Sequence, residues 1–183
     1  MRGYFSIGVE GISKPMNLGT LMRSAHAFNA SFCFSVDVSK KLRHTLADTA
    51  RSFEHVPYYD WEGVDDMILP KGCQLVGIEL TDDAVELPSF RHPHRAAYVL
   101  GRERGSLSPE MMAKCDHIVK IPTLFCVNVA IAGSIVMYDR IRTLGRHAPR
   151  PEKAGGPAPE DLIPQSSVFG GVKQRTKARD FSS

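Results

Sequence analysis

Between residues 4 and 145, short apolar runs alternate with stretches of helical period, and this alternation restricts the fold more than any other feature. YFSIGVEGI (4–12), SFCFSVDV (31–38), QLVGIEL (74–80), AAYVLG (96–101) and HIVKIP (117–122) read as strands, with a further short strand at 57–61. The runs at 74–80 and 96–101 are nearly continuous in apolar residues, the pattern of strands buried on both faces of a parallel sheet. Residues 18–29 place Leu18, Leu21, Met22, Ala25 and Phe28 on one helical face. Residues 45–54 and 108–114 also read as helices, the latter with Ser108 as N-cap and Pro109 at its first position. The longest helical pattern is 127–145, apolar almost all round, which predicts a buried helix. Such an order predicts an α/β fold, a mostly parallel sheet flanked by helices on both faces.

The 183 residues, 43% of them apolar, suffice for one packed domain and a tail. Residues 1–148 read as that domain. Pro149, Pro151, Gly155, Gly156, Pro157 and Pro159 then crowd the chain, so 149–183 reads as a linker and a basic flexible tail. No apolar run reaches 18 residues and the first residues lack a signal-peptide core, so neither a membrane span nor a leader is expected. Cys33, Cys73, Cys115 and Cys126 are far apart without a CxxC, which fits reduced thiols of a cytoplasmic protein. His92 and His94 flank a proline and His117 stands alone, so no metal is expected.

Charge is uneven. Residues 1–139 hold 14 Lys+Arg against 16 Asp+Glu, whereas 140–183 hold 9 against 4. The basic excess includes Lys173, Arg175, Lys177 and Arg179. A basic tail on a near-neutral body suits a polyanion such as RNA; a solvated tail without a partner is the plain alternative.

Three segments carry polar groups where a parallel sheet would present them to a ligand, just after strand ends. Asn17 stands where a helix N-cap belongs, and Arg23 lies off the apolar face of that helix near Thr20 and His26. The loop Leu100-Gly101-Arg102-Glu103-Arg104-Gly105-Ser106-Leu107-Ser108 follows a buried strand, where glycines admit a closely approaching ligand. It matches neither the dinucleotide nor the P-loop fingerprint, which argues against an oxidoreductase. The third segment runs from Ile121-Pro122 to Cys126-Val127-Asn128. Asn128, opening an apolar helix, must either cap it or meet a ligand.

In this order and spacing the segments resemble the TrmH/SpoU branch of the SPOUT RNA methyltransferases. Asn17 and Arg23 stand six apart on the first helix. Gly101, Glu103 and Leu107 follow a strand, then Ile121-Pro122, then Cys126-Val127-Asn128. The resemblance covers residues 4 to about 145. It implies a C-terminal trefoil knot, a rare exception to unknotted chains. It also implies a homodimer, and S-adenosylmethionine held by Leu80, Leu100, Gly101, Glu103, Ile121, Cys126, Val127 and Asn128. The implied reaction is 2′-O-methylation of a ribose in tRNA or rRNA, with Arg23 and Asn17 as catalytic residues and Arg23 and the tail cations on the RNA. Arginine stays protonated, so its part is to hold phosphate and stabilise negative charge on the 2′-oxygen. The sequence departs from the family pattern at Cys126, in place of serine, at Gly105-Ser106, and in a shorter stretch from Pro122 to Cys126. These departures motivate a second reading, a catalytically inactive RNA-binding module of the same fold; a base-methylating relative is a third.

Overall fold

The computed structural model describes residues 3–39, 55–102 and 105–162. Seven strands form one sheet: β1 (Tyr4–Glu10), β2 (Phe32–Val36), β3 (Tyr58–Trp61), β4 (Gln74–Ile78), β5 (Val85–Glu86), β6 (Arg95–Leu100) and β7 (His117–Lys120). Their order is β3-β2-β1-β6-β4-β7-β5, and every neighbouring pair is parallel. The helices are α1 (Pro15–Ala27), α2 (Pro109–Lys114) and α3 (Val129–Leu144). The expected α/β architecture is thus present, with one short edge strand, β5, that two residues were too few to announce. The expected helix at 45–54 lies outside the described residues.

Alternation along the central strands divides the core. Phe5, Ile7 and Val9 of β1 and Ala96, Tyr98 and Leu100 of β6 face α1 and α3. Ala97 and Val99 point the other way, into a cluster with Phe34, Leu75, Leu107 and Met111. Gly8 is required in β1, because a Cβ there would come within 2.5 Å of the Phe34 ring. Leu18, Leu21 and Met22 of α1 are each 1% exposed; burying such side chains contributes roughly 1.5–3 kcal/mol apiece. Gly133 of α3 lets the two helices close, since a Cβ there would meet Leu21 at 2.3 Å. That contact offsets the roughly 1 kcal/mol a mid-helix glycine costs.

Two helix expectations change. α1 starts at Pro15, with Lys14 at the N-cap position and no side-chain cap, so Asn17 is not the cap but lies in the first turn. Proline's fixed φ begins the helix earlier than apolar spacing indicates. α3 is not buried all round: Ile131 is 55% and Tyr138 56% exposed. Its apolar period continues onto a face that the described residues leave open. The 108–114 expectation stands, with the Ser108 hydroxyl accepting from the Met111 N–H at 3.0 Å.

At the amino ends of the strands lies a buried polar network. Arg140 of α3 is 0% exposed. One guanidinium nitrogen, Nη1, donates to the Pro93 carbonyl at 2.5 Å and the Tyr98 hydroxyl at 3.1 Å. The other, Nη2, donates to the carbonyls of His94 at 2.9 Å and Tyr4 at 3.2 Å. The Phe5 ring centroid lies 5.3 Å from its central carbon. His92 bridges Tyr98 through Nδ1 (2.6 Å) and Asp139 through Nε2 (3.1 Å). Of the nine basic residues in the C-terminal part of the sequence, Arg140 therefore belongs to the core and Arg142 pairs with Asp139 at 3.3 Å.

Candidate active site

The carboxyl ends of β4, β6 and β7 open onto a cavity of about 310 Å³, closed on one side by the start of α3. That volume lies at the low end of small-molecule sites, and the position is the one parallel sheets reserve for ligands. Each strand end contributes backbone and an apolar side chain: Ile78 and Leu80 at the end of β4, Leu100 and Gly101 at the end of β6, Ile121 just after β7. Val127, Val129 and Ala132 extend the apolar wall, and Glu79 and Asn128 supply polar groups.

Two carboxylates fasten the loop after β6. Glu79 Oε2 accepts from the Leu107 N–H at 2.7 Å and its Oε1 from the Leu80 N–H at 3.0 Å. Glu10, 2% exposed at the end of β1, accepts from the Ser108 N–H at 2.8 Å and its hydroxyl at 2.5 Å. Charge-assisted bonds of this kind are about twice as strong as neutral ones, so the cavity wall is held from two strands. Gly101 fits between them: a Cβ there would lie 3.0 Å from the Leu107 nitrogen. Glu79 and Glu10 escaped the sequence reading, although both stand at strand carboxyl ends.

Residues 111 positions apart meet on the opposite wall. Asn128 caps α3, its Oδ1 accepting from the N–H groups of Ala130 (2.9 Å) and Ile131 (3.4 Å), while its Nδ2 donates to Asn17 Oδ1 at 3.1 Å. Capping is therefore what Asn128 does in this chain, and its amide end reaches the first motif. Cys126 is exposed on the cavity beside Leu124 and Phe125, which are 99% and 73% exposed. Burial pushes the thiols of Cys33 and Cys115 up to about 12, so these two remain protonated.

Leu80, Leu100, Gly101, Ile121, Cys126, Val127 and Asn128 all line the cavity, as does Asn17. Arg23 does not line it. It is exposed on α1, six residues past Asn17 and hence about 9 Å further along the axis. Glu103 and the four tail cations lie outside the described residues. Lys14 and Arg102 also line the cavity, and neither was singled out from the sequence. Among the described residues no cluster of His, Cys, Asp and Glu is arranged to hold a metal ion.

Comparison with known proteins agrees with this geometry. The SpoU rRNA Methylase family matches residues 4–138. The tRNA (guanosine(18)-2′-O)-methyltransferase of Escherichia coli K12 is 22% identical over 143 residues, 75% of this chain and 62% of its own. A TrmH family protein of Staphylococcus aureus is 28% identical over 145 residues, 73% of this chain and 57% of its own. The chain thus spans about three-fifths of the length of these curated relatives. The AdoMet-bound rRNA methyltransferase of Sinorhizobium meliloti superposes with a TM-score of 0.68 at 24% identity, covering 79% of this chain and 58% of that one, a likeness of fold. With the match running from β1 into α3, over residues 4–138, the chain belongs to the SpoU rRNA Methylase family.

Proposed function

We propose that this protein is an S-adenosylmethionine-dependent RNA methyltransferase acting on a ribose 2′-hydroxyl of tRNA or rRNA. The observation that carries this reading is the convergence of seven cofactor-motif residues on one cavity at the carboxyl ends of β4, β6 and β7. The cavity suits the cofactor: apolar walls for its adenosine, and the Glu79 carboxylate, with acceptor capacity beyond its two N–H partners, for its cationic end. When bound, S-adenosylmethionine supplies a methyl group on a positively charged sulfur.

The chain's own residues have three tasks. Leu80, Leu100, Gly101, Ile121, Cys126, Val127 and Asn128, with Glu103 two residues past Gly101 in the sequence, hold the cofactor, and apolar walls exclude water from it. Asn17, bonded to Asn128, orients the target beside the cleft. Arg23, permanently protonated, grips the phosphate next to the target ribose and stabilises charge developing on the 2′-oxygen, whose proton leaves to a phosphate oxygen or water.

This reading includes a homodimer. Arg23 is exposed and does not line the cleft of its own chain, and the α1–α3 layer leaves Met16 (81%), Ile131 and Tyr138 exposed, an apolar face that a second copy would cover. Pairing there would bring Arg23 of one copy toward the cleft of the other. Residues 1–148 form the catalytic domain, knotted at its C-terminal end as family membership supports. Residues 149–183 form a linker and tail whose Lys173, Arg175, Lys177 and Arg179 bind RNA. The reading includes a cytoplasmic location, which an RNA substrate and the four free cysteines support.

Nucleoside mass spectrometry of RNA from cells with and without the protein tests the reaction. Loss of one 2′-O-methyl nucleoside, restored by wild type and not by Arg23→Ala, is expected, with the variant folded and binding cofactor as wild type does. Restoration by Arg23→Ala would remove Arg23 from the mechanism. An unchanged nucleoside profile would refute the activity.

A further inference from the structure

We infer that Arg102 is a phosphate-gripping residue of this cleft, acting on the RNA rather than on the cofactor; the inference rests on the RNA methyltransferase reading above. Its basis is how the side chain is seated. The stem lies against Gly105, where a Cβ would be 3.2 Å from Cγ and Cδ. The guanidinium lies against Gly11, where a Cβ would be 3.1 Å from Cζ, Nε and Nη2. Both glycines have positive φ, +62° at Gly11 and +139° at Gly105, a backbone conformation that strains a larger residue, and a Cβ at either would press on the Arg102 side chain. Gly11 is itself fixed, its N–H donating to the Val36 carbonyl at 2.8 Å. The two loops therefore form a slot that holds one guanidinium at the end of β1.

That guanidinium has work left to do. Arg102 is exposed and lines the cavity, and among the described residues no carboxylate or carbonyl accepts a hydrogen bond from it. A planar fork of five donors that no acceptor among the described residues takes up, at the mouth of a cleft that takes a polyanion, matches the two oxygens of a phosphodiester. Lys14 lines the same cavity and adds positive charge. The cofactor's carboxylate is the other oxyanion within this chemistry. The placement favours RNA, because the side chain leaves the loop after β6 and carries its guanidinium to Gly11 in the loop after β1, the segment that leads through Lys14 into α1.

The test compares wild type, Arg102→Gln and Arg102→Lys as full chains, by calorimetry with S-adenosylmethionine and by RNA binding to total tRNA across a salt series. Expected for Arg102→Gln is unchanged cofactor affinity, RNA binding weakened about 5- to 20-fold, and a salt slope shallower by roughly 0.7–0.9 for one lost phosphate contact. Arg102→Lys should restore the slope and only part of the affinity, since an ammonium keeps the charge and loses the fork. Weakened cofactor binding with an unchanged salt slope would assign Arg102 to the cofactor carboxylate and overturn the inference. So would RNA binding equal to wild type. If wild type itself binds cofactor but no RNA, the RNA methyltransferase reading fails and the inference falls with it.

Discussion

Replacing Arg140 with Met tests the buried network most directly. The side chain spans from α3 to the segment before β6 and to the first residue of β1, and it is 0% exposed. Met fills much of the volume and removes a charge that was costly to bury, which by itself favours the variant. Against this, the Pro93 carbonyl and the Tyr98 hydroxyl lose their guanidinium donor, whereas the His94 and Tyr4 carbonyls stay in the parallel ladder between β1 and β6. A buried acceptor left without a donor costs about 1–3 kcal/mol, and breaking a buried charged network about 3–5 kcal/mol. Net destabilisation of about 3 kcal/mol is expected, a large share of the roughly 5–15 kcal/mol that holds a domain folded. With a urea slope near 2 kcal/mol/M, the midpoint should fall by about 1.5 M. Trp61, the sole tryptophan, sits on β3 at the far edge of the sheet and reports global unfolding without touching the mutated site. Arg140→Lys should lose nearly as much, because one ammonium cannot serve carbonyls on two segments. A midpoint for Arg140→Met within 0.3 M of wild type, at unchanged slope, would refute this account of the network.

Two further outcomes follow from named groups. Burial holds the His92 imidazole below its ordinary pKa of 6.5, opposed in part by Asp139. The hydrogen-bond chain fits the neutral ring, with Arg140 donating to Tyr98, the Tyr98 hydroxyl donating to Nδ1 and Nε2–H donating to Asp139. A lowered folded pKa means the unfolded chain binds the proton first, so stability is full above pH 6.5 and declines as pH falls from there through the lower folded value. Urea midpoints at pH 7.5 and 5 should therefore differ more for wild type than for His92→Gln; equal differences would contradict this. Removing residues 151–183, with Lys173, Arg175, Lys177 and Arg179, should weaken RNA binding and flatten its salt dependence, with cofactor affinity retained. A salt slope equal to that of the full chain would show that the tail makes no phosphate contact.

What the linear chain announced and what it concealed separate along a physical line. Local pattern determined the elements: continuous apolar runs made β4 and β6 interior strands of a parallel sheet, and Ser108-Pro109 set the start of α2, because propensity and capping act within a few residues. The family resemblance carried by the ordered motifs also named the cavity wall, and a parallel sheet delivers every strand's carboxyl end to the same side. Pattern alone misplaced the beginning of α1, where Pro15 outweighed the apolar period, and it took α3 as buried on every face. Arg140 looked like part of a basic terminus and is a core residue, because burial depends on which carbonyls fold around a side chain. Only tertiary structure paired Asn17 with Asn128, set Glu79 and Glu10 on the loop after β6, and seated Arg102 between two glycines. Apart from Arg102 against Gly105, those contacts join segments far apart in the chain, and a distance of that kind exists only once the sheet has formed.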